Sequence, residues 1–163
     1  MADQALITTS AVELRAALPA GGALLGLDLG TQTIGTAFCD AGWRFASPGK
    51  TLKRGKFGAD RDLLAALIRE RGIVGVVLGL PLNMDGSEGP RAQSSRAFAR
   101  NLERLTDLPI LFWDERLSTV AAERALLEAD TSRKRRAEII DSVAAGIILQ
   151  GLLDRLAYLR TSA

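Results

Sequence analysis

No histidine occurs in this chain of 163 residues, and Cys39 is its only cysteine. Those two absences remove whole classes of chemistry. Disulfide scaffolds, structural zinc sites and nucleophiles activated by a Ser-His or Cys-His pair all lack their parts. Any catalysis must then fall to carboxylates and bound ions, and Cys39 itself is expected to pack as a small apolar residue. Also missing are an uninterrupted apolar run of the roughly eighteen residues a membrane helix needs and a basic segment leading an apolar one at the start. A soluble cytoplasmic protein without a membrane partner is the expectation. Nor does one sign of charge dominate: 21 Lys and Arg against 19 Asp and Glu leave a net +2, too little to argue for nucleic acid. Its distribution says more. Between Arg44 and Arg71 eight basic residues stand against Asp60, Asp62 and Glu70, and a basic knot follows at Arg133-Lys134-Arg135-Arg136.

The length suits one domain with one core. Residues 1–22 read as a flexible lead-in, alanine-rich, with Ser10 and Glu13 spaced as a capping box for a helix over 11–18. The single domain then spans 23–160. Strands are expected from about 24 to 29 and from 34 to 39, with a third starting at Trp43 after the turn residues Asp40-Ala41-Gly42, which makes an antiparallel meander. A basic loop carrying Lys50, Lys53, Arg54 and Lys56 leads into a helix over 59–71, and β-branched and small apolar residues from Ile73 to Leu80 predict a strand covered on both sides. Further on, the pattern predicts a helix over 91–105, a buried strand over 109–113, a helix from Ser118 or Thr119 to about 128, a loop holding the basic knot, and a long helix over 137–159. The sum is an α/β fold on a five-stranded mixed sheet, a three-strand antiparallel meander plus two parallel strands, flanked by helices.

Leu24 to Cys39 is the stretch around which the rest is organised. An apolar run of strand length carries one carboxylate, Asp28, between Gly26 and Gly30. An ionised carboxylate out of water needs a cation, N–H donors or a proton, and the glycines leave room for a phosphate or another backbone to come close. A second misplaced acid is Asp141. At helical spacing it shares a face with Ala144, Ala145, Ile148 and Leu152, the face the last helix should turn inward. A third comes from Asp114-Glu115, where a buried strand ends. Alternation sends one of this pair toward a site and the other away, without saying which. Carboxylates about 4 Å apart repel by roughly 4 kcal/mol at an effective dielectric of 20, so a cluster of them calls for divalent magnesium or manganese. Paired ions of that kind support phosphodiester cleavage without any histidine.

Four motifs, Gly26-Leu-Asp28-Leu-Gly30-Thr31, Gly79-Leu-Pro-Leu-Asn83-Met-Asp-Gly-Ser-Glu-Gly89, Asp114-Glu-Arg116-Leu-Ser-Thr119 and Asp141-Ser-Val-Ala-Ala-Gly-Ile-Ile-Leu149, occur in this order. Together they resemble the YqgF family, also called RuvX, small bacterial proteins of ribonuclease H-like fold similar to the Holliday junction resolvase RuvC. The resemblance implies a metal-dependent endonuclease using Mg2+ or Mn2+, one that processes the 5′ end of the small-subunit rRNA precursor or, alternatively, resolves branched DNA. It also implies that Asp28, Glu115 and Asp141 are the metal-binding acids. Many ribonuclease H-like enzymes carry their second acid near the end of the fourth strand, where this chain has Gly79-Leu80-Pro81; the resemblance supplies it from Glu115. Candidate nucleic-acid contacts are Thr31, Lys53, Arg54, Lys56, Asn83, Arg91, Arg116 and the knot of Arg133, Lys134, Arg135 and Arg136. Asp-Leu-Gly-Thr also resembles the phosphate loop of sugar kinases and the Hsp70 and actin group, but those proteins close two such domains around a nucleotide. A third possibility is a module that grips nucleic acid without cutting it. A resolvase would have to be a homodimer, whereas an RNA trimmer could be a monomer.

Overall fold

The computed structural model describes residues 6–55, 57–120, 122 and 133–161. In chain order it contains β1 (Ile7–Thr8), α1 (Ala11–Ala17), β2 (Ala23–Leu29), β3 (Thr33–Cys39), β4 (Ala46–Pro48), β5 (Leu52–Lys53), α2 (Phe57–Arg71), β6 (Ile73–Leu80), α3 (Pro90–Glu103), β7 (Ile110–Asp114), a short 3-10 turn (Glu115–Leu117) and α4 (Arg133–Thr161). The expected helix running to about residue 128 falls largely outside the described residues. The sheet order is β1-β7-β6-β2-β3-β4, with β5 also paired to β3. β1, β7, β6 and β2 run parallel to one another, and β3 lies antiparallel to β2, β4 and β5. The expected meander and parallel pair are therefore present within a mixed sheet.

Among the described residues seven strands form where five were expected. Both additions, β1 and β5, are two residues long, too short to show a period-two pattern. The third strand of the meander begins at Ala46 and not at Trp43, which has φ 54° and buries its ring. Most consequential is the lead-in. Its described part is not loose: Ile7 pairs with Ile110 on the sheet edge, Ser10 caps α1, and Glu13 accepts from the Thr8 hydroxyl at 2.6 Å. The basic knot, expected in a loop, has its backbone in the first turn of α4, as suits Lys and Arg, which are good helix formers.

Two apolar clusters sandwich the sheet. On one face Leu14 of α1, Leu18 at its C-cap and Ala144, Ala145, Ile148, Leu149, Leu152 and Leu153 of α4 pack with Leu24, Val77 and Leu111. On the other, Leu64 of α2 and Phe98, Ala99 and Leu102 of α3 pack with Leu25, Leu27, Val76 and Leu78. By length and composition Ser142–Arg160 of α4 could cross a membrane, with mean hydropathy 1.3, but here its apolar residues cover the sheet. Cys39 is buried and accepts the Leu24 N–H, and burial pushes its thiol pKa up. It is the packing residue the sequence suggested.

The direction of α4 matters for the site. A Cβ on Gly75 would strike Leu18 and Leu24, so α1 lies at the amino ends of β2 and β6. Arg15 of α1 donates to Leu159 O near the end of α4 at 2.8 Å. α4 therefore runs against β2, and its earlier turns lie toward the carboxyl ends of the strands.

Candidate active site

Asp28 is 1% exposed in the middle of the sheet, with Oδ2 buried. Its direction follows from the pleat. Leu25, Leu27 and Leu29 face α2 and α3, so Gly26 and Asp28 face α4. Gly26 serves the close approach the sequence suggested, to a helix: a Cβ there would stand 2.9 Å from Leu149 Cβ and 3.0 Å from Ala145 O. Gly30 closes the hairpin by donating its N–H to Thr33 O at 2.8 Å, and it is not among the left-handed glycines, which are Gly22, Gly72 and Gly86.

On the neighbouring strand Leu27 is level with Leu78, so Asp28 stands beside Gly79. Gly79 leaves its place above the sheet empty of side chain, and a Cβ there would stand 2.6 Å from Ile148 Cδ1 of α4. Glu115 borders the same place, with Cδ and Oε2 each 3.4 Å from where that Cβ would lie and Oε2 buried. Adjacent strands are about 4.8 Å apart, so Asp28 and Glu115 occupy neighbouring lanes of one face. The position at which many ribonuclease H-like enzymes carry an acid is thus reached from β7.

The chain beyond β7 explains why Glu115, and not Asp114, turns inward. Asp114 caps the 3-10 turn by accepting the Arg116 N–H at 2.9 Å, and its carboxylate is forked by the Arg116 guanidinium, with Nη2 to Oδ2 at 2.8 Å and Nε to Oδ1 at 3.0 Å. Arg116 also donates to Met84 O at 3.2 Å, tying the turn to the 81–89 loop. The Arg116 hydrogen bond holds the Asp114 carboxyl below its usual range. A carboxylate with a depressed folded pKa contributes stability above its unfolded pKa of about 3.9, and that contribution fades as pH falls through the folded value. The stability advantage of wild type over Asp114→Asn, read from urea midpoints, should therefore be full at pH 6 and close as pH drops below about 3.9.

The remaining sequence candidates divide. Arg116, expected at a phosphate, spends three of its N–H groups on Asp114 and Met84 O. Asn83 donates to Ser87 Oγ at 3.0 Å and helps close the 81–89 loop, whose Gly86 has φ 87°. Thr31 and Lys53 are exposed near the carboxyl end of β2, where Arg54 reaches Gly30 O at 2.8 Å and Arg91 reaches Leu29 O at 3.1 Å. Lys56 lies outside the described residues, as do the side chains of Asp141, Arg133, Lys134, Arg135 and Arg136. Among the described residues no cluster of three acids forms. Asp141 has its backbone in α4, one turn before Ala145 and toward the Asp28 end of the sheet. Sequence reasoning passed over Asp60, which is 3% exposed and accepts the Gly55 N–H at 3.1 Å. An acid in a helix's first turn reads as ordinary capping, and nothing local marks it as buried.

A sequence model of the family described as RuvX, Holliday junction resolvase, matches residues 22–155, most of the chain. The chain belongs to the RuvX family. Its relatives in that family include proteins provisionally named pre-16S rRNA nuclease from Cereibacter sphaeroides, 67% identical over 94% of this chain and 96% of the relative, and from Paracoccus denitrificans, 70% identical over 88% and 90%. The solved structure of Thermus thermophilus RuvC in complex with a Holliday junction substrate overlays with TM-score 0.52 at 8% identity, covering 83% of this chain and 96% of that one. At that identity the likeness speaks for the ribonuclease H-like fold alone. Asp28, Glu115 and Asp141 all fall inside the RuvX match. As donors, Asp28 and Glu115 offer hard carboxylate oxygens, one buried on each, in a chain without histidine. That set fits Mg2+ or Mn2+ better than softer metals.

Proposed function

We propose that the protein is a divalent-metal-dependent endonuclease, a phosphodiester hydrolase that trims the 5′ end of the pre-16S rRNA in the cytoplasm. The observation that carries the reading is the placement of Asp28 and Glu115 in neighbouring lanes of one sheet face, beside Gly79. The names of the relatives support the substrate. Asp28 and Glu115, with Asp141 as third acid, would hold Mg2+ or Mn2+. Ions of this kind, when bound, activate a water and stabilise the leaving oxygen. The chain's own work is placement. Asp28 is fixed in a central strand, Glu115 is aimed by the brace between Asp114 and Arg116, and α4 shields the acids from one side. Thr31, Lys53, Arg54, Lys56 and Arg91, with the knot Arg133 to Arg136, supply contacts for the nucleic acid.

A second reading, junction resolvase, is favoured by the description of the matching family. It requires two active sites in a symmetric homodimer, whereas an RNA trimmer works as a monomer. The test offers purified protein a pre-16S rRNA fragment and a four-way DNA junction at one salt concentration, with Mg2+ or Mn2+. Cutting at the mature rRNA 5′ end is expected, and Glu115→Gln should lower it by about 10² or more while binding persists. Paired cuts in the junction by a dimer, with the RNA left intact, would shift the assignment to resolvase. Binding of both without cutting of either would leave a non-catalytic module.

A further inference from the structure

At the carboxyl end of β2, past Asp28, lies a cleft of about 210 Å³ between the Gly30-Thr31 turn, Arg54 and the first turn of α3 with Arg91 and Ser94. Its two guanidinium groups are held, not loose. Arg54 donates from Nη1 to Gly30 O at 2.8 Å and from Nη2 to Ser94 Oγ at 2.9 Å, and Arg91 donates from Nη2 to Leu29 O at 3.1 Å. The backbone under Arg54 is pinned as well, its N–H donating to Gln32 O at 2.8 Å and the next N–H, of Gly55, to the buried Asp60 carboxylate at 3.1 Å. A guanidinium has five N–H donors. After these bonds Arg54 keeps three and Arg91 four. Among the described residues neither has a carboxylate within ion-pair distance. Two positive charges are thus fixed at one strand end, with no ion pair to either among the described residues, around a cleft that Thr31 and Ser94 also line.

We propose that this cleft is a phosphate subsite, holding one backbone phosphate of the substrate strand where it passes the carboxyl end of β2. The proposal rests on the nuclease reading above. The cleft lies on the α3 side of that strand end, whereas Asp28 faces α4, so the substrate strand would cross the end of the sheet between them, and the subsite would fix one point of its path. The planar fork of arginine suits this task, since it pairs two N–H groups with two phosphate oxygens.

The experiment is an interference scan. RNA strands spanning the rRNA 5′ end carry one neutral methylphosphonate at successive positions, and their affinity for the full-length protein is measured in EDTA, where nothing is cut. One or two adjacent positions should lose about tenfold in affinity with wild type. In Arg54→Ala and Arg91→Ala that local penalty should vanish while penalties elsewhere remain. The slope of log affinity against log salt should shrink by about 0.7 for a single strand. Arg54→Lys should keep the slope and lose part of the local penalty. A flat profile, a penalty that survives in both alanine variants, or no measurable binding would overturn the subsite. The nuclease reading fails separately, if Glu115→Gln still cuts, and that result leaves the scan intact.

Discussion

Asp28→Asn is expected to abolish cleavage, by about 10³-fold or more, and to lose the stabilisation that added divalent ion gives wild type. Both effects have one cause. Asp28 is buried at 1% exposure with Glu115 in the next lane of the sheet, so the variant removes one of two neighbouring hard donors for the ion. Added Mg2+ should raise the melting temperature of wild type by mass action and leave the variant unmoved. Nucleic-acid binding in EDTA should survive. A variant that Mg2+ stabilises as much as wild type, or that still cuts, would remove Asp28 from the role assigned to it.

Gly26→Ala should cost about 2–3 kcal/mol of stability and most of the cleavage. The new methyl would sit 2.9 Å from Leu149 Cβ and 3.0 Å from Ala145 O, and neither is the free end of a flexible side chain. Relief requires α4 to move off β2, and α4 carries Asp141. Gly42→Ala is the control, because its Cβ would meet only Asp40, at 3.5 Å, with no left-handed φ to strain. Urea midpoints for the pair should separate clearly, and equal midpoints would mean that the helix does not rest on Gly26.

How much of this was legible beforehand depends on range. The long strands and helices announce themselves through periodicity, and Asp28 through being charged inside one of them. β1 and β5 are set by pairing with β7 and β3, which two residues cannot encode locally. The choice between Asp114 and Glu115 was hidden because alternation ends where the strand becomes a 3-10 turn; the Arg116 fork decides it. Gly79 was visible as a glycine in a strand, but its empty lane acquires meaning only when Glu115 arrives from β7. Likewise Arg54 and Arg91 were legible as candidate nucleic-acid contacts, but only the fold sets both at the end of β2.

α4 also covers the face that holds Asp28 and Glu115. A nascent chain still short of that helix leaves this face bare and lacks Asp141 altogether. The proposed nuclease would therefore be mute until α4 has been made, a delay built into the chain order of an enzyme whose proposed target is ribosomal RNA.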